Sequence, residues 1–104
     1  MTRLFAVVRE PGPAWVPGRR MEEQEGWPLH AAFMNDLAGD GLVVLGGPLG
    51  DGSRFLLICD AAGEEEIERR LAVDPWVPMR LLVTRSIEPW RIVLDRRETV
   101  QPEA

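Results

Sequence analysis

The residue with the clearest chemical potential is His30, the only histidine in the 104-residue chain. It lies in the stretch "GWPLHAAFMNDL", whose spacing of apolar residues predicts a helix. At about 100° per residue, Phe33, Met34 and Leu37 fall on the same side of that helix as the imidazole ring. A neutral imidazole is a general base near neutral pH. An inward-facing ring therefore predicts either a proton-transfer residue or a core histidine hydrogen-bonded to a backbone carbonyl.

Asp74 is the carboxylate that would complete a proton-transfer pair with His30. It stands in Val73-Asp74-Pro75-Trp76, where the second predicted helix ends before the last strand. If both helices cover one face of a sheet, the carboxylate can orient the imidazole and stabilise its protonated form. The local alternative is a junction residue that bonds nearby backbone groups ahead of Pro75.

Other side chains are candidates for substrate contact. Arg9 shares its face of the first strand with Phe5 and Val7, which predicts either an anchor for a substrate carboxylate or an exposed strand-end cation. Trp15, Trp27 and Trp76 flank the candidate site in the chain, and they would wall an apolar cavity or fill the core of a dimer. Cys59 lies in an apolar run with no neighbouring base in the chain, which predicts a buried, inert thiol.

Composition argues against several classes of function. The net charge is −5 and every cation is an arginine, so no basic stripe is available for nucleic acid. No apolar run approaches the length that spans a bilayer, which predicts no membrane partner. A strand-like pattern begins directly at the N-terminus and leaves no room for a signal peptide, so we expect a cytoplasmic protein. One histidine and one cysteine do not make a zinc site within a chain, and we predict no metal and no cofactor.

The order of predicted elements is strand, helix, strand, strand, helix, strand. The strands are predicted at 4–8, 42–45, 54–59 and 79–87, and the helices at 27–38 and 64–73. The segment 11–26 is predicted to be a long ordered loop, or a loop with a partial helical turn. This order predicts an α+β, ferredoxin-like split βαβ (βαββαβ) domain with an antiparallel sheet over residues 1–94, followed by a flexible polar tail at 95–104.

The first and third predicted strands are apolar on both faces. In the first strand, Leu4, Ala6 and Val8 alternate with Phe5 and Val7. Helices cover only one face in this arrangement, so the second apolar face needs another cover. A second copy packed sheet to sheet is the economical cover, and we predict a two-fold homodimer with sites near the interface.

Three sequence marks together resemble the YCII-related (YciI-like) domain family, over residues 4–94. The marks are His30 in "LHAAFMNDLAGDG", "GGPLGDG" after the second strand, and "DPW" at 74–76. The resemblance implies a dimeric ferredoxin-like α/β barrel with a histidine and aspartate pair in a pocket, similar in fold to muconolactone isomerases and a chloromuconolactone dehalogenase. Carried over by position, the pair is His30 and Asp74, and Gly47 and Pro48 shape the pocket floor. The long segment 11–26 departs from shorter relatives, and would cover the pocket or serve only in packing.

These observations predict a small-molecule enzyme of lyase, isomerase or hydrolase character. His30 would move a proton on a small organic substrate, and Asp74 would orient it. The expected substrate contacts are Arg9, Trp15, Gly47, Pro48 and Trp76. One alternative is a non-catalytic ligand-binding or accessory module that uses the same cavity of the dimer. A plainer alternative is a structural dimer with a vestigial pocket.

Overall fold

The computed structural model of the protein describes residues 3–99. The strands are β1 (Arg3–Pro11), β2 (Val43–Leu49), β3 (Arg54–Ala61) and β4 (Leu82–Pro89), and the helices are α1 (Trp27–Gly39), α2 (Glu64–Leu71) and the short α3 (Arg96–Thr99). A single 3-10 turn, Met21–Glu23, lies between β1 and α1.

The four strands form one antiparallel sheet. Their order is β2-β3-β1-β4, and β1 in the centre pairs antiparallel with both β3 and β4. The predicted α+β class and antiparallel sheet are confirmed, and this order is compatible with a ferredoxin-like fold.

Alternate residues of β1 point to opposite faces of the sheet, as the strand period requires. Phe5 and Val7 face the helices and are almost fully buried. Leu37 of α1 and Leu71 of α2 belong to the same core cluster, so both helices cover this one face. Burying each such side chain contributes about 1.5–3 kcal/mol to folding, which makes this cluster the main hydrophobic core.

A second buried cluster lies at the other end of the helix-covered face. It is built on Trp76, Leu81 and Leu82, with Trp15 and Trp27 packed against it. These residues come from the turn before β4 with the first residue of that strand, and from the segment between β1 and α1 with the first residue of that helix. The two parts of the chain are far apart in sequence. The cluster therefore fixes these two connections to each other.

Strand β4 begins at Leu82, three residues later than the pattern predicts. Met79 and Arg80 belong instead to the turn after Trp76, in which the Arg80 N–H donates to the Val77 carbonyl at 3.0 Å. Arg80 has a φ of 63°, a left-handed conformation that a strand does not contain. The apolar pattern at 79–87 predicts a continuous strand and does not indicate this bend.

Strand β2 is longer than predicted and extends through Gly46 to Leu49, residues expected in a hairpin loop. A Cβ built on Gly46 would lie 2.8 Å from Cδ2 of Leu57, so glycine permits close pairing with β3 there. The chain turns at residues 50–53, where Gly50 and Gly52 have positive φ.

Pro11, expected in the loop, is the last residue of β1. The rest of the predicted segment, 12–26, is an ordered loop containing one 3-10 turn, the second of its two expected forms. Its start is held to the turn before β4, because Gly12 N–H donates to the Leu81 carbonyl at 2.9 Å. Inside the segment, the buried amide of Gln24 accepts from Val16 N–H and donates to the Val16 and Arg19 carbonyls. One side chain thus ties both arms of the loop together.

The predicted tail is described only in its first part. Asp95 is followed by the single helical turn α3, and the rest of the predicted tail, 100–104, lies outside the described residues. Within 3–99, no helix combines the length and the apolar character needed to cross a bilayer.

Candidate functional site

The first turn of α1 positions His30. Gly26 precedes the helix with a φ of 76°, a conformation that favours glycine, and Pro28 occupies the first turn, where its missing N–H is not needed. The His30 backbone N–H donates to the Gly26 carbonyl at 3.1 Å. The side chain of His30 turns inward and is only 9% exposed.

Asp74 lies directly behind the imidazole ring and is completely buried. Its Oδ1 is 2.9 Å from Nδ1 of His30 and also accepts the backbone N–H of Trp76 at 2.9 Å. Its Oδ2 accepts a hydrogen bond from Nη1 of Arg9 at 2.9 Å. The contact with His30 and the local backbone bond, considered above as alternatives, are therefore present together.

The surroundings of Asp74 determine its charge and the tautomer of His30. Burial alone would raise the Asp74 pKa, but the hydrogen bonds from His30 and the Trp76 backbone and the charge of Arg9 lower it below its usual value. An ionised carboxylate only accepts hydrogen bonds, so Nδ1 of His30 carries a proton. The Nε2 atom has no hydrogen-bond partner within residues 3–99.

Arg9 is part of the same cluster and is buried on the helix-covered face of β1. Its Nη1 pairs with Asp74, while Nε and Nη2 are buried without a hydrogen-bond partner in the described chain. The opposite charges of Arg9 and Asp74 cancel, so the cluster is neutral when the imidazole is neutral. Arg9 lies behind the carboxylate and is not among the cavity-lining residues, so its contact with a substrate stays a prediction.

Trp76 packs against the face of the imidazole ring. The two rings are stacked with centroids 3.9 Å apart and planes 5° apart. The indole N–H of Trp76 donates to the Glu25 carbonyl at 2.8 Å, which fixes the indole against the segment before α1. Trp76 thus restrains both members of the pair, the carboxylate through its backbone N–H and the imidazole through its ring.

A cavity of about 380 Å³ lies beside His30, between α1 and the edge strand β2. Gly47 and Pro48 of β2 line it, and so does Trp76. The helix contributes Trp27, His30, Ala31, Met34, Asn35 and Ala38. The structure thus brings four of the predicted site residues to one cavity, with Asp74 and Arg9 behind the ring.

Trp15 is placed elsewhere. It packs edge-on against Trp76 with centroids 5.7 Å apart, and against Phe55 at 5.6 Å. It lines a neighbouring surface groove, not the cavity beside His30, although Met21 and Pro48 border both. Its contact with a substrate stays a prediction.

Asn35 is a polar lining residue that sequence reasoning missed. Its side chain makes no hydrogen bond within residues 3–99 and lines the cavity together with His30. On a helical wheel it lies opposite His30, which predicts a solvent-facing side chain. The side chain is indeed exposed, and it borders the cavity as well. The sequence carries no signal for this contact, because it depends on how α1 lies relative to β2.

The residues that the structure describes show no alternative chemical centre. Within 3–99, no three histidine, cysteine, aspartate or glutamate side chains are grouped so as to hold a metal ion. Cys59 is buried in the core, and burial raises the pKa of its thiol to about 11, so it is a poor nucleophile. A comparison with protein-family models finds none that matches the chain, and a comparison with curated proteins finds no relative.

Proposed function

We propose that the protein is a small-molecule enzyme that uses His30 and Asp74 for general acid and base catalysis. The observation that carries this proposal is the 2.9 Å hydrogen bond between Nδ1 of His30 and a fully buried carboxylate, directly beside a cavity. A histidine oriented in this way has one nitrogen fixed and the other available to a bound molecule.

The proton transfers follow from this arrangement. Nε2 of His30 takes a proton from the substrate, and the bonding electron pair stays on the substrate. The resulting imidazolium keeps its Nδ1–H bond to Asp74, whose negative charge stabilises it. Nε2 then returns the proton to a different atom of the same molecule, which is an isomerisation, or to a leaving group, which is an elimination.

The cavity wall favours these proton-transfer reactions over covalent catalysis. Among residues 3–99, no Ser, Thr, Cys, Lys, Asp or Glu side chain lines the cavity. Apart from the imidazole itself, the wall offers no group that attacks a substrate and holds it covalently. Hydrolysis would require His30 to activate a water molecule instead.

We also propose that the chain is a YCII-related domain that assembles as a two-fold dimer in the cytoplasm. The support for a dimer is the sheet face opposite the helices, where Ala6 and Val8 of β1 are only half-buried. Leu45 of β2 lies on the same face beside Ile58 and is 52% exposed. A second copy would cover these apolar side chains.

A second candidate function is a non-catalytic ligand-binding or accessory module. The observation that favours it is the apolar character of the cavity wall, in which Trp27, Met34 and Phe55 contribute binding surface and no chemistry. Turnover that depends on His30 separates the two functions.

Deuterium exchange tests the proposed base without knowledge of the natural substrate. The protein is incubated in D₂O with 2-tetralone, acetophenone and phenylpyruvate, a panel that includes neutral and anionic ketones. Loss of the α-proton signals is followed by NMR. We expect protein-dependent exchange of at least one ketone, and His30→Gln should reduce it by about 100-fold or more.

Leu29→Gln is the matched control, because Leu29 is the preceding residue of α1 and its side chain faces solvent. This variant should exchange protons at the wild-type rate. Equal rates in wild type and His30→Gln, or no exchange of any ketone above background, would contradict the enzymatic proposal.

A further inference from the structure

The wall of the cavity beside His30 carries no formal charge. Among residues 3–99, no Asp, Glu, Lys or Arg side chain lines it. From this, and resting on the proposed function, we infer that the substrate is an uncharged, mainly apolar molecule with a polar group, distant from the reacting carbon, that is bound by the amide of Asn35.

An anionic substrate lacks a partner in this cavity. Removing a carboxylate from water into an apolar site costs several kcal/mol unless a cation or several hydrogen bonds compensate it. The nearest buried cation, Arg9, is bonded to Asp74 and does not reach the lining. A neutral molecule avoids this cost entirely.

The size and walls of the cavity suit a molecule of one or two rings. A cavity of roughly 150 Å³ is enough for benzene, and this one has a volume of about 380 Å³. Trp27, Phe55 and Trp76 supply aromatic surfaces against which a flat molecule packs. Such contacts provide affinity without selecting a charge.

Asn35 supplies the polar contact that orients this molecule. Its side chain is exposed and borders the cavity, and its amide both donates and accepts hydrogen bonds. At about 1.5 Å per residue, it lies roughly 7–8 Å along the helix axis from His30. This polar group is therefore separate from the carbonyl group that makes the neighbouring carbon acidic enough for His30 to deprotonate.

A matched pair of ligands tests the charge preference. 1,2,3,4-Tetrahydronaphthalene-2-carboxamide and the corresponding carboxylate share one skeleton and differ in charge. Their binding to the wild-type protein is measured by calorimetry at pH 7.5 and moderate salt. We expect the carboxamide to bind at least about 10-fold more tightly. Equal or tighter binding of the carboxylate, or binding of neither ligand, would overturn the inference.

A lysine placed in the cavity wall separates local charge from the net charge of the protein. Ala38→Lys adds a cation at a lining position, and Ala32→Lys adds the same charge on the same helix outside the lining. Only Ala38→Lys should tighten carboxylate binding by about 10-fold. An equal effect of both variants would show that the net charge of the protein determines the preference for the neutral ligand, and it would contradict the inference.

Asn35 is tested against Asp36, its exposed neighbour on α1 that does not line the cavity. Asn35→Ala should weaken carboxamide binding by about five-fold, the value of one hydrogen bond, and Asp36→Ala should not. Unchanged binding in Asn35→Ala would refute the role of Asn35. These measurements read binding alone, so they can fail while the His30-dependent exchange succeeds, and the reverse.

Discussion

Asp74 accepts hydrogen bonds from three donors, two of which are remote from it in sequence. These are Arg9 on β1, His30 on α1 and the backbone of Trp76 in the turn before β4. This buried carboxylate links β1, α1 and the turn before β4 through its hydrogen bonds, and it also orients the imidazole. Its removal should therefore affect stability as well as chemistry.

The lowered pKa of Asp74 gives a pH dependence of known sign. Because the folded state favours the ionised carboxylate, its stabilisation is complete above the unfolded value, near 3.8, and is lost as the pH falls through the lower folded value. Asp74→Asn should reduce the free energy of unfolding at pH 7 by about 3–5 kcal/mol, since Arg9 is left as an unpaired buried charge.

Urea unfolding at pH 7, 5, 4 and 3 measures both effects. The wild-type protein should lose stability in the acid range more steeply than Asp74→Asn does. The exposed Asp36→Asn serves as the control and should follow the wild-type curve. Parallel curves for wild type and Asp74→Asn would refute the assignment of this acid sensitivity to Asp74.

At the scale of the elements, the connection between β1 and α1 depends on a close backbone approach. A Cβ on Gly12 would lie 2.4 Å from the Arg80 carbonyl oxygen, a contact that only a backbone shift relieves. Gly12→Ala should therefore lower the free energy of unfolding by about 1–3 kcal/mol. It should also accelerate trypsin cleavage after Arg19 or Arg20, because the segment 12–26 loses its attachment to the turn before β4.

Gly39→Ala is the matched control for this substitution. Gly39 is the last residue of α1 and a Cβ there meets nothing within 4 Å. Alanine should raise stability by up to about 1 kcal/mol through its better helix propensity. A Gly12→Ala variant as stable and protease-resistant as the wild type would contradict the close approach.

The sequence predicted the elements better than their ends. Apolar periodicity identifies all four strands and both long helices, since it reports directly on burial. It missed the extension of β2 through Gly46, because glycine and proline have low strand propensity. The pairing with β3 that stabilises this extension is not visible in the local sequence. It also predicted the side of α1 that carries His30. The cavity contact of Asn35 and the position of Arg9 depend on distances between elements, for which local patterns carry no information.

At the scale of the whole molecule, the apolar sheet face should determine assembly. Ala6 lies near the middle of this face, beside Ile58 on β3. We expect the wild-type protein to sediment with twice the chain mass of 11.7 kDa, and Ala6→Arg to sediment as a monomer. Ala32→Arg, on the exposed side of α1, should remain a dimer. A monomeric wild-type protein at micromolar concentration would refute the proposed assembly.

The hydrogen-bonded cluster around Asp74 has a consequence for the evolution of this protein. Substitution of Arg9, His30 or Asp74 destabilises the folded state. Selection therefore removes such substitutions whatever the substrate is. The side chains of α1 and β2 that line the cavity do not hold the fold together in this way, so substitutions at these positions are tolerated. New ligand preferences should therefore arise by exchange of those flanking side chains around an invariant acid–base pair.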